Sequence, residues 1–352
     1  MNIDQHLTFR EIMRQQHGWL KALGALAGEK ERLSDLLERY RDREWVFSGC
    51  GTSFYLAQTA SQLFGRLSGF RTRALPASEI LIFPDAAIPR RDDCLLVAIS
   101  RSGTTTEMVL AEKKAREELG VPTLAVSCEQ EADLAGNSLH RLAFPFQREE
   151  SVVMTGSFTT MLLSIVALAA RVSGPERAPA RFDALPAASE AVMMAHKSLM
   201  KEIADQADLR DFVFLGQGPY FGLANEAALK MQEMAIVSSL SFHCLEYRHG
   251  PMSTVTPNTL ITILASHAGK ILEKNLVRDM KQLGARLLVL HTHEADWVSE
   301  WADWQVRVDG DVQDFLTPFL YMPVLQLLGY YKALAKGINP DTPQNLSQVV
   351  TL

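Results

Sequence analysis

From residue 45 onwards, short apolar runs alternate with longer stretches whose apolar residues recur at helical spacing. Such runs, bounded by turn residues, are typical of buried strands. They predict strands from Trp45 into a glycine turn, and at Arg71–Leu75, Leu95–Ile99, Thr123–Ser127 and Arg141–Phe144. The longer stretches predict helices at Phe54–Leu67, Ala77–Phe83, Thr104–Leu119, 155–172 and roughly 187–207. Strands and helices that alternate in this way form parallel sheets with helices on both faces, so the pattern predicts an α/β fold of three layers.

The second half of the chain repeats the first. The matched segments are VFSGCGTSFYLA from Val46 with VFLGQGPYFGLA from Val213, CLLVAIS from Cys94 with TLITILA from Thr259, and GVPTLAV from Gly120 with GARLLVL from Gly284. Three matches in the same order, at separations of 164 to 167 residues, predict a duplicated α/β domain.

Two further stretches complete the predicted domain organisation. Residues 8–40 carry a helical pattern that predicts two helices broken near Gly28. Residues 173–190 are rich in proline, alanine and charge, which is typical of a boundary between domains. We therefore expect N-terminal helices in 1–44, a first domain at 45–180 and a second domain at 187–352.

The turn after the strand Leu95–Ile99 holds five hydroxyl side chains around Gly103, at Ser100, Ser102, Thr104, Thr105 and Thr106. Hydroxyls and backbone N–H groups at the start of a helix suit an anion, and a phosphate monoester uses several donors at once. The alternative is a helix cap, which needs one such residue and not five. Arg101 either adds positive charge to the turn or points into solvent.

The second half lacks this cluster and carries other chemistry instead. Its matching turn reads SHAGK from Ser266, so we expect one phosphate site per chain, in the first half. In the stretch NEAALKMQE, Glu226, Lys230 and Glu233 share one helical face. That face is either a solvated ion-paired surface or the wall of a cleft, and the apolar residues around it favour the cleft. His249, in a turn before Gly-Pro, is a candidate for proton transfer.

Composition narrows the classes of partner. The 352 residues carry a formal net charge of −6, which argues against nucleic acid or an anionic membrane as the main partner. The four cysteines, Cys50, Cys94, Cys128 and Cys244, form no CxxC pair and sit in or beside apolar runs, so we expect reduced, mostly structural thiols in a cytoplasmic protein. Residues 1–15 are polar and charged, unlike a signal peptide.

At this point the chain resembles the sugar isomerase (SIS) domain family. The nearest resemblance is to the isomerase half of glucosamine-6-phosphate synthase and its stand-alone relatives, which are amino-sugar-phosphate deaminases, fructosamine-6-phosphate deglycases and phosphosugar isomerases. The motifs that carry the resemblance are CGTS (50–53), SRSGTTTE (100–107), SVVMTGSFTT (151–160), EAALKMQE (226–233), EYRHGP (246–251) and NPDTPQNLSQVVTL (339–352). The resemblance implies two tandem SIS domains and chemistry on a phosphorylated sugar, without metal or other cofactor.

The resemblance implies a phosphosugar site at the matching positions. The implied residues are Ser53, Ser100, Ser102 and Thr105 on the phosphate, Arg101 at the place of a polar residue of the phosphate loop, and Val152 with neighbouring backbone along the sugar. The family's synthase branch has a tail lysine that meets the sugar carbonyl. Gln348 stands at that position here, so Schiff-base chemistry from the tail is not expected.

The resemblance also implies catalytic roles. Glu233 would move a proton between C1 and C2 of the sugar through an enediol-type intermediate, and Lys230 would assist at the sugar oxygens. His249 would open the ring, reaching in from the partner subunit of a homodimer. The 352 residues include no glutaminase domain, so we expect deamination, deglycation or isomerisation rather than synthesis.

Three alternatives stay open at the level of sequence. Family members that bind sugar phosphates without turnover make a sensor or regulator the main rival. A dinucleotide site is disfavoured because Phe54 and Phe221 stand where the third glycine of the fingerprint belongs. His291 and His293 flank Thr292, and such a pair can bind metal, but no third ligand is evident.

Overall fold

The structure, a computed structural model, describes residues 6–173, 182–292, 297–309 and 312–347. The described residues form two compact units. Residues 14–186 make up most of the first unit, and residues 187–346 with the start of the chain make up the second unit. The segment 174–181, in the middle of the predicted domain boundary, lies outside the described residues.

The first unit contains a parallel five-stranded sheet in the order β2-β1-β3-β4-β5. Its strands are β1 (Glu44–Gly49), β2 (Thr72–Pro76), β3 (Cys94–Ser100), β4 (Thr123–Ser127) and β5 (His140–Ala143). The central strand β3 is buried along its whole length, as expected for a strand covered on both faces. The helices are α1 (Leu7–Gly28), which begins before this unit, α2 (Lys30–Arg39), α3 (Thr52–Ser68), α4 (Ala77–Ile82), α5 (Pro84–Ala87), α6 (Thr106–Lys113), α7 (Asp133–Asn137) and α8 (Gly156–Ala170).

The second unit contains a parallel five-stranded sheet in the order β7-β6-β8-β9-β10. Its strands are β6 (Asp211–Gly216), β7 (Ser239–His243), β8 (Thr259–Leu264), β9 (Arg286–Thr292) and β10 (Trp304–Val308). The helices are α9 (Leu185–Ala204), which begins just before this unit, α10 (Pro219–Ala235), α11 (Lys270–Gln282), α12 (Val298–Trp301) and α13 (Pro318–Ala335).

The two sheets share one topology. Numbered within its own unit, each sheet has the strand order 2-1-3-4-5, and in each the first strand pairs with the second and third. The α/β duplication predicted from the three matched segments is therefore confirmed. The predicted break between the first two helices is also confirmed, since α1 ends at Gly28 and α2 begins at Lys30.

The predicted helix at Thr104–Leu119 is too long at its start and changes form at its end. Residues 101–105 stay in the turn, and α6 begins at Thr106. At its other end α6 passes into a π-helical turn at Lys114–Glu118. The buried Glu112 lies just before this turn, and its carboxylate accepts hydrogen bonds from Thr123 and Ser138. These contacts connect α6 to residues well beyond it in sequence, which the periodicity of one helix does not show.

Each sheet has an apolar core beneath it. In the first unit the core joins Val46, Leu96 and Ala98 of the sheet to residues of α4 and α6. In the second unit Val213, Ile261 and Val289 pack against α11. Among the described residues, no helix is long and apolar enough to cross a membrane.

The four cysteines are free thiols in this structure. Burial, and then the nearby Glu107, raise the pKa of Cys50 to about 11. Burial also raises the pKa of the other three thiols. A thiol with a raised pKa stays protonated near neutral pH and is a poor nucleophile, which fits structural cysteines.

Candidate active site

In a doubly wound sheet, ligands bind beyond the carboxyl ends of the strands, where the strand order reverses. In the first unit that point lies between β1 and β3, which are neighbours in the sheet. Ser53 follows the end of β1, and Ser100 is the last residue of β3. The topology therefore brings two predicted phosphate-binding residues to one edge of one sheet.

The hydroxyl turn forms a loop between β3 and α6, which we call the phosphate loop (residues 100–106). Gly103 has a φ of +66°, a conformation that favours glycine. Its N–H donates to Ser100 Oγ at 3.1 Å, and Thr104 N–H donates to Ser102 Oγ at 3.2 Å. Ser100 Oγ also lies 3.2 Å from Thr105 Oγ1. The hydroxyls of this loop are therefore arranged by its own backbone.

The helix-cap alternative does not account for this loop. Thr105 is the N-cap residue of α6, yet its side chain makes no capping hydrogen bond. Its hydroxyl contacts Ser100 at the end of β3 instead. The start of α6 thus keeps the positive end of the helix dipole beside the hydroxyls of Ser100 and Thr105, an arrangement suited to an anion.

The turn after β1 lies at the same switch point. Gly51 has a φ of +52° and takes the N-cap position of α3, where it offers no capping side chain. A Cβ at Gly49 would lie 2.6 Å from the carbonyl carbon of Ser53, so only glycine allows this close approach. Ser53 is buried in the first turn of α3.

The structure excludes one of the two expectations for Arg101. Its side chain is only 12% exposed, so it does not point into solvent. Its Nη2 donates to the carbonyl oxygen of Val152 at 3.1 Å, and its Nη1 lies 3.5 Å from Oε2 of Glu149. Arg101 and Val152, both predicted site residues, are therefore in direct contact. Glu149 was not predicted, because its contacts with Thr155 and Ser157, six and eight residues further on, follow no capping pattern that the sequence shows.

The second unit holds the predicted acid–base residues on α10. Glu226 and Lys230 are fully buried, and Lys230 Nζ lies 3.2 Å from Glu226 Oε1. Lys230 also forms an ion pair with Glu233, whose side chain keeps 18% of its surface exposed. The predicted shared face therefore runs from a buried carboxylate through a buried ammonium to a carboxylate that solvent can reach. The alternative of a solvated ion-paired surface is wrong, because two of the three groups have no exposed surface.

Two opposing effects act on Lys230. Burial lowers its pKa, but the adjacent carboxylates of Glu226 and Glu233 outweigh burial and raise the pKa above its usual value. Lys230 is therefore a fixed cation beside Glu233 and does not itself act as a base near neutral pH.

The second unit's own switch point, between β6 and β8, differs from the first. Glu273 on α11 accepts hydrogen bonds from the N–H and hydroxyl of Ser266, both at 2.8 Å. Asp314 accepts a hydrogen bond from His267 N–H at 3.0 Å. Protein carboxylates thus occupy donors that an anion would use here. Glu233 lies elsewhere, near the amino end of this sheet, because the neighbouring Gln232 contacts Ser239 at the start of β7.

The remaining predicted residues are His249, Gln348 and the histidine pair of the possible metal site. His249 is exposed in a turn, where its N–H donates to Glu246 O at 3.0 Å. Gln348 and His293 lie outside the described residues. Both ring nitrogens of His291 are within hydrogen-bond distance of oxygen atoms, Thr292 O at 2.6 Å and Gln305 Oε1 at 3.1 Å.

Fold and site together define a duplicated doubly wound α/β protein with a hydroxyl-lined loop in its first unit and an acid–lysine–acid row in its second, of which Glu226 and Lys230 are buried. The sequence profile of the SIS domain matches residues 40–171. Glucosamine-6-phosphate deaminase from Thermotoga maritima is 33% identical, with a TM-score of 0.80 over 98% of this chain and 100% of that chain. The chain belongs to the SIS domain family, and the predicted resemblance is confirmed.

Other relatives extend the comparison. Glutamine–fructose-6-phosphate aminotransferase (isomerizing) from Methanothermobacter thermautotrophicus is 28% identical over 338 residues, which cover 95% of this chain and 54% of that protein. The chain spans about half the length of the curated relatives it matches. Tagatose-6-phosphate ketose/aldose isomerase from Escherichia coli superposes with a TM-score of 0.87 at 21% identity, over 99% of this chain and 97% of that chain. At that identity the likeness concerns the fold alone.

Proposed function

We propose that this protein acts on a hexose 6-phosphate or a 2-amino-sugar 6-phosphate by moving a proton between C1 and C2. The observation that carries the proposal is the acid–base row on α10. A carboxylate that solvent can reach can serve as the base for a proton transfer between adjacent carbons, and a buried ammonium beside it can stabilise the negative charge that develops.

Glu233 is the base in this proposal. It takes the proton from one carbon and returns it to the other, through an enediol-type intermediate. Lys230 stays protonated, as its raised pKa supports, and stabilises negative charge that develops on the sugar oxygens. His249 opens the sugar ring and is supplied by the partner subunit of a homodimer. Its exposed position in a turn is consistent with that role.

The phosphate loop and the turn after β1 anchor the phosphate in this proposal. The hydroxyls of Ser53, Ser100, Ser102 and Thr105 are the donors, and Gln348 contacts the sugar from the tail. Support comes from the shared switch point of β1 and β3 and from the N-terminus of α6, which favours negative charge. An anchored phosphate holds the sugar in place, which lowers the entropic cost of bringing it to a catalytic group.

For an amino sugar, the same proton movement ends in release of nitrogen. Transfer of the C2 proton to C1, with an N–H proton passing to the C1 oxygen, turns the open-chain 2-amino aldose into an imine at C2. Addition of water and loss of ammonia then give the ketose phosphate, so glucosamine 6-phosphate and water become fructose 6-phosphate and ammonia. The 33% identity to the Thermotoga deaminase supports this substrate class.

The test is a panel of candidate substrates, with the products of each measured. Glucosamine 6-phosphate comes first, with ammonia and fructose 6-phosphate measured in parallel. Equal release of both supports a deaminase. Release from fructosamine 6-phosphate conjugates, or interconversion of ketose and aldose 6-phosphates alone, supports deglycase or isomerase activity. Binding of these sugars without any turnover would overturn the enzyme proposal in favour of a sugar-phosphate sensor.

A further inference from the structure

Glu149 lies in the segment between β5 and α8, and its carboxylate accepts several hydrogen bonds. Oε1 accepts hydrogen bonds from Thr155 N–H at 2.9 Å, Thr155 Oγ1 at 2.8 Å and Ser157 N–H at 3.0 Å. Oε2 accepts a hydrogen bond from the hydroxyl of Ser157. Only 1% of this side chain is exposed. Glu149 therefore caps α8 in place of the N-cap residue Thr155, whose side chain makes no capping bond to its own helix.

The same carboxylate reaches the phosphate loop. Arg101 Nη1 lies 3.5 Å from Glu149 Oε2, while Arg101 Nη2 donates to Val152 O at 3.1 Å. A guanidinium presents its donors in a rigid fork, so one side chain can hold both acceptors in a fixed relation. Arg101 thus ties the segment 149–152 to the loop that carries Ser100 and Ser102.

The charge of Arg101 is also largely neutralised by the protein itself. The Arg101 cation is paired with a buried carboxylate that four other donors also hold, so much of its field is cancelled where it sits. The loop hydroxyls need no help from Arg101 for their arrangement, because their contacts lie within residues 100–105. What Arg101 adds is the position of the Val152 segment.

We propose that Glu149 and Arg101 are positioning residues, which fix the sugar-lining segment around Val152 against the phosphate loop, and that Arg101 is not a phosphate ligand. This inference rests on the proposed function, because it takes the segment around Val152 to line the sugar, as the family resemblance implies. It implies that the pair governs affinity for the sugar part of the substrate more than affinity for phosphate.

The experiment compares two probes, inorganic phosphate and fructose 6-phosphate, by calorimetry. The variants are Arg101→Gln, Arg101→Lys, Glu149→Gln and the Arg101→Gln, Glu149→Gln double variant. We expect each single variant to leave phosphate affinity unchanged and to weaken fructose 6-phosphate binding about tenfold, as for a displaced contact segment. The double variant should bind fructose 6-phosphate no more weakly than the single variant with the lower affinity, since both changes break the same connection.

Two outcomes would overturn the inference. A direct phosphate ligand at Arg101 would give opposite signs: Arg101→Gln would weaken phosphate binding, and Glu149→Gln would strengthen it by releasing the cation. In that case Arg101→Lys would keep the affinity for phosphate, because lysine retains the charge although it lacks the fork that reaches Val152. Unchanged binding of both probes in every variant would equally remove the positioning role.

A matched control separates positioning from general destabilisation. Arg73 and Glu44 form a partly buried ion pair with an N–O distance of 3.1 Å in the same unit, near the amino end of β1. Arg73→Gln and Glu44→Gln should change thermal stability without changing either affinity. Arg101→Gln leaves Glu149 with its Thr155 and Ser157 donors, so this variant keeps the inference testable if Glu149→Gln does not fold. Wild-type protein that binds neither probe would instead overturn the proposed function itself.

Discussion

At the scale of single residues, the chain places ionisable groups where burial makes them costly. Lys230 has no exposed surface and sits between the carboxylates of Glu226 and Glu233. A buried charge of this kind is tolerated because its partners stay in place. The sequence predicted that the three side chains share a face, since this follows from helical spacing alone. It left open whether that face is buried, because burial depends on the helices packed around α10.

Replacing Lys230 with methionine is expected to remove the counter-charge of two carboxylates at once. The free energy of unfolding should fall by about 3–5 kcal/mol, the usual cost of leaving a buried charge unpaired. Lys201→Met is the control, because Lys201 and Asp205 form an ion pair with both side chains about half exposed. That exposed pair should contribute less than about 1 kcal/mol. Both losses can be measured by denaturant unfolding. Equal losses of unfolding free energy in Lys230→Met and Lys201→Met would contradict this prediction.

Glu273 predicts a dependence of stability on pH. Burial raises its pKa from 4.5 to about 7, and the charge of Asp314 adds to the increase, while hydrogen bonds from Ser266 oppose it. The folded state therefore binds more protons than the unfolded state between pH 4.5 and 7. Stability from this group is present below pH 4.5 and is lost as the pH rises through 7, up to about 3 kcal/mol in all.

Glu273→Gln removes this titration. The free energy of unfolding of the variant should depend less on pH between 4.5 and 7 than that of the wild type, as measured by urea unfolding at several pH values. Asp279→Asn, which removes a carboxylate of the same helix that pairs with the partly exposed Arg248, is the control. Parallel pH curves for the wild type and Glu273→Gln would refute the assignment.

At the scale of secondary structure elements, helix starts show where sequence reasoning succeeds and where it stops. The start of α3 after a glycine turn follows from local residues, and so does the break at Gly28. The caps of α1 and α8 do not, because each carboxylate comes from outside its helix. Asp341 accepts hydrogen bonds from the N–H groups of Leu7 and Thr8, more than 330 residues away in sequence. No local pattern contains that information.

Asp341→Ala is expected to uncap α1. Two backbone N–H groups would lose their acceptor, and the hydroxyl of Thr8 would keep only its weaker contact with Pro340 O, which typically costs about 1–2 kcal/mol of stability. Asp309→Ala is the control, since Asp309 is largely exposed and pairs with the exposed Arg307. Thermal unfolding should show a lower midpoint for Asp341→Ala alone. Equal midpoints in the two variants would show that the cap contributes nothing.

At the scale of the whole molecule, duplication has produced two sheets with one strand order and two different switch points. The sequence predicted the α/β fold and its repeat from three short matches, because buried strands and glycine turns leave strong local patterns. It also predicted the hydroxyl loop in one half only. It did not predict Glu273 and Asp314 at the second switch point, or Glu149 beside the first, because these contacts depend on how distant segments pack.

The divergence of the switch points predicts one phosphate site per chain. Calorimetry with inorganic phosphate should give a stoichiometry near one, and a Ser102→Ala, Thr105→Ala double variant should abolish binding. Ser266→Ala, in the matching turn of the second unit, should leave binding intact because Glu273 already occupies that turn. A stoichiometry of two, or loss of binding in Ser266→Ala, would contradict this division of roles.

The proposed function depends on Glu233, which would move a proton between C1 and C2 of a sugar phosphate. The most direct measurement is deuterium incorporation at C1 of fructose 6-phosphate in heavy water, followed by proton NMR. The wild type should exchange one C1 proton, and a folded Glu233→Gln variant should do so at least about 100-fold more slowly, the lower range for loss of a general base. Exchange at the wild-type rate in Glu233→Gln would contradict the account.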